Sequence, residues 1–260
     1  MAIDIKGPAE IDAMRETSLL AAATLRMAST HIKAGMSTER LDQLCKEYIL
    51  DHKAIPAPLN YRGFPKSICT SINEVVCHGI PSSSDVLKDG DIVNVDVTTI
   101  LNGFHGDTSR TFYVGDPDAT ARHVTEVART SLDLGIQAVK PGGRIRDIGA
   151  AIEDYAHAEG FSVVRDYCGH GIGREFHTDP QIAHYRFRGP NPRFRPGMTF
   201  TIEPMVNVGT WRVQLMDDGW TVKTVDRKLS AQFEHTILVS ETGVEVLTDW
   251  ARLEGSRYDC

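Results

Sequence analysis

Five residues of this chain have the types and local settings expected of ligands in one metal site. Asp96, Asp107, His170, Glu203 and Glu234 supply four carboxylates and one imidazole, each in a strand-like run or a glycine turn. Carboxylate oxygens and imidazole suit Co, Mn, Fe(II) and Zn. Four carboxylates nearly neutralise two divalent ions, and a water held by such an ion has a pKa of about 7. The set therefore predicts metal-assisted hydrolysis.

Two further histidines have the surroundings of proton donors: His78 in Val-Cys-His-Gly and His177 in Arg-Glu-Phe-His. For the acids a plainer interpretation competes, because a single Asp or Glu on a strand is most often only a solvated residue. Cys77, beside His78, could be a thiol nucleophile, but neighbours on a strand point to opposite faces, so we expect it to be buried. The glycines around His170 do not form a phosphate loop, because no Lys-Ser or Lys-Thr follows. The remaining histidines are interpreted as structural or solvated: His31, His52, His105, His123, His157, His184 and His235.

The elements that must position these groups follow from periodicity. Helical spacing of apolar residues predicts helices over 8–33, 37–52, 118–139 and 145–159, with Pro141-Gly142-Gly143 separating the last two. Alternation predicts strands over 92–100, 107–114, 199–203 and 231–239, and Asn102-Gly103 predicts a hairpin turn. On three of these strands a carboxylate (Asp96, Glu203 or Glu234) points away from an apolar face. Residues 186–196 form a turn-rich connector.

The two halves of the chain repeat each other at an offset of 107 residues. Gly90 of an Asp-Gly pair corresponds to Gly197 of a Pro-Gly pair, and Asp96 corresponds to Glu203 at the same offset. We therefore expect an α/β (α+β) fold with two duplicated halves, about 8–115 and 116–248, each with two helices followed by antiparallel strands. The halves would pack around a pseudo-twofold axis within one catalytic domain spanning 1–260, and 249–260 would be a frayed tail.

Composition restricts the class of protein. A net charge of −7, with no basic run, argues against nucleic-acid binding. The sequence has no apolar signal or membrane-spanning stretch, so we expect a cytoplasmic location and no membrane partner. The five cysteines contain no Cys-x-x-Cys pair and are expected to be reduced thiols. No long exposed apolar stripe is evident, so a monomer is expected.

Seven motifs together closely resemble those of type I methionine aminopeptidases, from about residue 8 to residue 248. These motifs are Asn-Glu-Val-Val-Cys-His-Gly-Ile-Pro (73–81), Asp-Ile-Val-Asn-Val-Asp (91–96), Gly-Phe-His-Gly-Asp (103–107), Tyr-Cys-Gly-His-Gly-Ile-Gly (167–173), Thr-Ile-Glu-Pro (201–204), Asp-Gly-Trp-Thr (218–221) and Leu-Ser-Ala-Gln-Phe-Glu-His-Thr (229–236). The resemblance implies the pita-bread fold with its pseudo-twofold axis, which agrees with the repeat. It also implies removal of the initiator methionine from nascent proteins whose second residue is small.

The resemblance also implies roles for the site residues. Asp96 would chelate one ion, His170 and Glu203 the other, and Asp107 and Glu234 would bridge both. A bridging hydroxide of this dinuclear site would attack the scissile carbonyl, with Glu203 accepting the proton. His177 would stabilise the developing oxyanion, and His78 would hydrogen-bond the scissile nitrogen or pass it a proton. The substrate's free α-amino group would bind a metal.

The methionine pocket implied by the resemblance has apolar, aromatic walls. The corresponding residues are Tyr61, Phe64, Cys69, Phe176 and Trp220. Relatives often have Tyr where this chain has Phe64 and Cys where it has Pro58. We expect these departures to change contacts at the pocket rim more than the chemistry.

The chain resembles the minimal bacterial form of the family, without a zinc-finger extension, and its own Met-Ala start is a candidate substrate. Contact with the ribosome stays open at this point, as do the physiological metal and the number of ions. Two alternative functions compete with this interpretation. One is a catalytically inactive pita-bread module that binds peptides or proteins, against which the complete ligand set argues. The other is a dipeptide or X-Pro hydrolase, against which the lack of a long N-terminal domain argues.

Overall fold

The computed structural model describes residues 3–140 and 142–258. The Met1-Ala2 start, Pro141 of the predicted Pro-Gly-Gly turn and Cys260 of the tail lie outside the described residues.

The four predicted helices are present, with ends set by identifiable caps. Pro8 begins the first helix and Glu10 accepts a hydrogen bond from the backbone N–H of Gly7 at 3.1 Å. Ser37 and Asp118 cap the second and third helices through their side-chain oxygens. The α-helices formed by the described residues are α1 (Pro8–Ser29), α2 (Thr38–Asp51), α3 (Ala119–Gln137) and α4 (Ile145–Ala158), and two 3₁₀ turns span Tyr61–Gly63 and Trp250–Leu253.

The strands form four sheets. The strands are β1 (Ile55–Pro56), β2 (Cys69–Ile72), β3 (Val75–Cys77), β4 (Ile92–Leu101), β5 (Phe104–Tyr113), β6 (Ser162–Val163), β7 (Gly169–Gly171), β8 (Thr178–Ile182), β9 (Thr199–Ile202), β10 (Met205–Asn207), β11 (Val213–Leu215), β12 (Val222–Thr224), β13 (Ser230–Gln232), β14 (His235–Val239) and β15 (Val244–Val246). One sheet has the order β1-β4-β2 with β5 paired to β4, and a second has the order β15-β14-β9-β7-β8. The two smaller sheets are β13-β10-β6 and β11-β12-β3. All strand pairings among the described residues are antiparallel, so the chain combines helices with antiparallel sheet as predicted.

The β4–β5 hairpin confirms the predicted turn and the predicted two-sided strand. Asn102 and Gly103 both have positive φ, 54° and 77°, as a two-residue hairpin turn requires. On β4, Val93, Val95 and Val97 are fully buried in one core cluster with α1 and α2. Because side chains alternate along a strand, Asp96 points to the opposite face, toward the candidate site.

The duplication is visible in the helices. Helix α4 begins and ends 107 residues after α2, at the offset found in the sequence. One core cluster belongs mainly to the first half and packs α1 and α2 against β4. A second cluster packs α3 and α4 against strands of the second half, with Phe200 and Ile202 of β9 fully buried in it.

Helix α1 lies unusually close to the β4–β5 hairpin, and Gly106 permits this approach. A Cβ at position 106 would lie 2.5 Å from the backbone nitrogen of Ser18. The hydroxyl of Thr17 also donates to the carbonyl of Thr99 at 3.1 Å. These contacts fix the hairpin that carries Asp96 and Asp107.

Two sequence predictions about the last third of the chain are wrong. The strand predicted over 231–239 is divided into β13 and β14, because Phe233 and Glu234 leave the ladder and the Glu234 N–H donates to the carbonyl of Ser109 on β5. The predicted tail is packed as far as residue 258: Leu253 and Tyr258 are buried in the first-half core. Within the described residues, no helix is both long enough and apolar enough to cross a bilayer.

Candidate metal centre and cavity

All twelve residues singled out from the sequence line one cavity of about 360 Å³. The five predicted ligands lie at its base, where β4, β5 and β7 meet the ends of β9 and β13. The other seven are His78, His177, Tyr61, Phe64, Cys69, Phe176 and Trp220. Pro58, the position of one expected departure from relatives, also lines the cavity. The structure thus brings together residues that are up to 173 positions apart in the sequence.

The ligand atoms converge around the imidazole of His170. Its Nε2 lies 3.6 Å from Oδ2 of Asp107 and 3.6 Å from Oε1 of Glu203. One ligand atom each from Asp107, His170 and Glu234 lie within 4.8 Å of one another. Separations of this size leave room for an ion between donors whose bonds to it would each be about 2 Å.

The four carboxylates lie together, Asp107 and Glu234 buried and Asp96 and Glu203 partly buried, and their electrostatics favour a bound cation. Burial raises the pKa of Asp96 to about 7 and that of Glu203 to about 8. Burial, then the neighbouring carboxylates, also raise the pKa values of Asp107 and Glu234 well above their usual range. Within the described part of the chain, no lysine or arginine forms an ion pair with any of the four. The donor set therefore fits divalent metal ions, which would supply the missing positive charge.

Three threonines orient the ligands, and the sequence reasoning missed them. Thr98 donates to Oδ1 of Asp107 at 2.7 Å, and Thr201 donates to Oε1 of Glu203 at 2.7 Å. The hydroxyl of Thr236 donates to the backbone carbonyl of Asp107 at 2.8 Å. A signal for Thr98 was present, because the Asn-Gly turn sets a register in which Thr98 and Asp107 are directly opposite.

His184 also positions a predicted ligand, and the sequence does not indicate this role. The sequence predicts only a structural or solvated histidine here, and the structure shows His184 fully buried. Its Nε2 accepts the backbone N–H of Glu203 at 3.1 Å, just beyond the end of β9. Burial lowers the pKa of His184 to about 3, so it is neutral and able to accept. No sequence motif surrounds it, so no signal was available.

The two candidate proton donors face the cavity from different segments. His78 follows β3 with φ of 55°, and the edge of its ring contacts Tyr167 and Trp220 at centroid distances of 5.5 and 6.2 Å. Burial lowers the pKa of His78 to about 4. His177 is more exposed, and partial burial together with the nearby His170 lowers its pKa below the usual value. Both imidazoles are therefore neutral at pH 7.

Aromatic rings form the wall of the cavity beside the ligands. Phe64 and Trp220 contact edge to face at 5.2 Å, and Tyr61 and Phe176 lie 5.0 Å apart. Phe64 is buried, as is Cys69, which pairs with Asp96 across β2 and β4. Cys77 is buried as predicted, and its pKa is raised well above the usual range by burial, which argues against a thiolate nucleophile.

Comparison with known proteins gives consistent results. The profile of metallopeptidase family M24 matches residues 12–241. The chain is 56% identical to the methionine aminopeptidase of Escherichia coli (strain K12) over 249 residues, which cover 95% of this chain and 94% of that protein. It is 59% identical to methionine aminopeptidase A of Synechocystis sp. over 239 residues, 92% of this chain and 94% of that one. The crystal structure of the methionine aminopeptidase from Rickettsia prowazekii superposes with a TM-score of 0.93 at 51% identity, covering 95% of this chain and all of that one.

Proposed function

The chain belongs to metallopeptidase family M24, and on that premise we propose how its cavity performs the reaction. It is a metalloaminopeptidase that removes N-terminal methionine and uses divalent metal. The fold is the α/β pita-bread fold of this family. We infer the number of ions, the roles of individual residues and the preference at the second residue from the contacts within the cavity.

Asp96, Asp107, His170, Glu203 and Glu234 would hold two divalent ions. The single observation that carries this is the convergence of the Asp107 and Glu203 carboxylates on His170 Nε2, each with an oxygen at 3.6 Å and neither paired with a lysine or arginine in the described residues. Four ionised carboxylates match the charge of two dications. When bound, such ions polarise oxygen atoms of water and substrate and lower the pKa of water. Mn, Fe(II), Co and Zn all suit these donors.

Glu203 is the proton acceptor. Its two carboxylate oxygens are held separately, Oε1 by the Thr201 hydroxyl at 2.7 Å and Oε2 by the amide of Gln232 at 3.3 Å. Its backbone N–H is held by His184. A carboxylate fixed in this way keeps one orientation while it takes a proton from the attacking water and later returns it to the amine leaving group.

His177 and His78 act as neutral donors. Since the pKa of each imidazole is lowered, each keeps one N–H at neutral pH without carrying a charge. His177 donates to the carbonyl oxygen as negative charge develops there. His78 donates to the scissile nitrogen.

The aromatic wall holds the methionine side chain. Tyr61, Phe64, Cys69, Phe176 and Trp220 surround an apolar space whose rings can contact a thioether. A cavity of about 360 Å³ is near the lower end of the range for ligand sites. Because the methionine side chain, the ions and the start of the second residue would share this space, we expect a small second residue to be preferred and a long one to be rejected.

The setting of the activity is also proposed. The substrates are nascent chains emerging from the ribosome in the cytoplasm, and the enzyme acts as a monomer. The described cysteines (Cys45, Cys69, Cys77 and Cys168) are free thiols, which is typical of proteins in a reducing compartment. Gel filtration tests the monomer, and co-sedimentation with ribosomes presenting a short Met-Ala chain tests the contact.

The test of the catalytic proposal is release of methionine from Met-Ala-Ser by metal-stripped protein titrated with Mn, Fe(II), Co or Zn. We expect activity to return with metal, to rise with up to two equivalents, and to be far lower on Met-Lys-Ser. Glu203→Ala and His78→Ala should each lose at least about 100-fold in kcat/KM, whereas His31→Ala, distant from the cavity, serves as the matched control. Circular dichroism establishes that each variant is folded. No release with any metal by folded protein would favour the binding-module alternative.

A further inference from the structure

Tyr61 is in direct contact with the candidate oxyanion donor His177. Its hydroxyl lies 3.0 Å from Nδ1 of His177, and the two rings stack with centroids 5.3 Å apart. The Tyr61 ring also packs against Phe176 at 5.0 Å. The hydroxyl therefore meets one ring nitrogen of His177, and the other, Nε2, has no hydrogen-bond partner in the described residues.

The loop around Tyr61 fixes this contact. Asn60 and Arg62 both have positive φ, 67° and 48°, and Gly63 follows at 89°. The Asn60 N–H donates to the carbonyl of Phe64 at 2.8 Å, closing the turn. Non-glycine residues adopt positive φ only where the surrounding structure requires it. Such a constrained turn aims the Tyr61 side chain at His177.

A neutral histidine carries its single proton on one nitrogen, and a hydrogen bond to the other nitrogen decides which. If Tyr61 donates to Nδ1, the proton of His177 must be on Nε2, and Nε2 is then a donor. If instead Nδ1 carries the proton, Nε2 presents a lone pair. A substrate carbonyl oxygen only accepts hydrogen bonds, so the second arrangement repels it.

The first arrangement is favoured by the charge beside the ring. The guanidinium of Arg62 lies 5.3 Å from the centre of the Tyr61 ring. A cation over the ring withdraws electron density from the phenol oxygen, which makes the hydroxyl a better donor and a poorer acceptor. We propose that Tyr61 is a positioning residue that donates to Nδ1 of His177 and so keeps the proton of His177 on Nε2, aimed at the substrate carbonyl. This role rests on the proposed function of His177.

The tautomer can be read directly, without catalysis. Protein with ¹⁵N-labelled histidine and added Zn²⁺, which is diamagnetic, gives distinct nitrogen shifts for protonated and unprotonated ring nitrogens. His177→Ala assigns the signals among the ten histidines. We expect the His177 proton on Nε2 in the wild type and a mixture of tautomers in Tyr61→Phe. A proton on Nδ1 in wild-type protein overturns the inference.

Kinetic measurements distinguish a Tyr61 that positions His177 from a Tyr61 that only lines the methionine pocket. Tyr61→Phe keeps the ring and removes only the hydroxyl, so we expect KM for Met-Ala-Ser to stay within about twofold while kcat falls about fivefold, as for loss of one hydrogen bond. In the His177→Ala background, the same change should have no further effect. Tyr113→Phe, which removes a hydroxyl that bonds the Arg122 carbonyl away from the cavity, is the control.

The outcomes distinguish this inference from the proposed function. The inference about Tyr61 is overturned if Tyr61→Phe lowers kcat equally with and without His177, or if it leaves kcat unchanged. In either case, cleavage by the wild type still upholds the proposed function. Absence of cleavage by folded, metal-loaded wild type refutes the proposed function, and the Nε2 proton would still support the contact between Tyr61 and His177.

Discussion

Replacing Glu203 with Gln should stabilise the metal-free fold, even though it removes a predicted metal ligand. The folded-state pKa of Glu203 is raised from 4.5 to about 8, chiefly by burial. Below pH 4.5 the carboxyl is protonated in both the folded and the unfolded state and contributes nothing. As the pH rises from 4.5 to 8, the unfolded chain ionises first, so the folded state loses relative stability; above pH 8 the loss is constant.

The size of the effect follows from the shift. Each pKa unit corresponds to about 1.4 kcal/mol, so the ionisable carboxyl at position 203 costs the metal-free fold at most about 5 kcal/mol near pH 8. A glutamine amide cannot satisfy Thr201 and Gln232 as the carboxylate does, and this mismatch offsets about 1–2 kcal/mol. We expect a net gain of about 3 kcal/mol at pH 8, equivalent to about 6–12 °C in Tm for a chain of this size, and little gain at pH 5.

The comparison with wild type is essential because other groups change the stability of the fold with pH in the opposite direction. His78, His170 and His235 each have a pKa lowered to about 4, mainly by burial. Their contribution is complete above pH 6.5 and is lost as the pH falls toward 4. These histidines are present in both proteins, so the difference in unfolding free energy isolates position 203.

The assay is thermal and urea unfolding of chelator-treated protein between pH 5 and 8, for wild type, Glu203→Gln and the exposed control Glu241→Gln. With excess Mn²⁺ at pH 7.5 the order should reverse, because wild type binds the ion more tightly and gains more stability. If the Glu203→Gln difference is the same at pH 5 and pH 8, or no larger than that of Glu241→Gln, the reasoning about buried charge is refuted.

Three further predictions concern the scaffold, each checked by urea unfolding. Gly106→Ala should lose about 2–3 kcal/mol or fail to fold, because its Cβ would lie 2.5 Å from the backbone of Ser18; wild-type stability would contradict the close packing. Leu253→Ala should lose about 2–4 kcal/mol of unfolding free energy because the Leu253 side chain is fully buried. Leu215 is 54% exposed, so Leu215→Ala should change the unfolding free energy by less than about 0.5 kcal/mol. Equal effects of the two substitutions would mean that the C-terminal segment is not packed. Asp42→Ala should lose about 2–3 kcal/mol because the carboxylate accepts two buried backbone N–H groups, at 2.7 and 3.0 Å; a loss below 0.5 kcal/mol would contradict this.

The fold was predictable where local signals and periodicity agreed. The helices and the β4–β5 hairpin have strong caps, a favourable turn and clear alternation, and they were placed within a few residues. The interruption between β13 and β14 was not predictable, because it depends on the bond between Glu234 and Ser109, 125 positions away. The packing of Leu253 likewise depends on a surface that exists only after α1 and α2 have folded.

The grouping of the site residues around one cavity was predicted from motifs, but the groups that orient them were not. His184 and Thr201 act through bonds to Glu203, and neither residue type is distinctive in a strand or loop. The hydroxyl of Tyr61 was assigned to a pocket wall, whereas its bond to His177 becomes visible only when residues 61 and 177 are side by side. Contacts of this kind depend on tertiary structure rather than on local pattern.

The carboxylates of Asp107 and Glu203 accept hydrogen bonds from neutral hydroxyls, and this leaves their negative charge available to a metal ion. An arginine or lysine beside Asp107 or Glu203 would lower the pKa of that acid and stabilise the metal-free fold, but it would also compete with the ion for the same charge. The hydroxyls of Thr98 and Thr201 orient one oxygen each without adding charge. The negative charge is left for the metal, and the raised pKa values are the result. If these carboxylates hold the metal as proposed, part of the free energy of metal binding would offset the cost of burying them and would couple folding to metal supply.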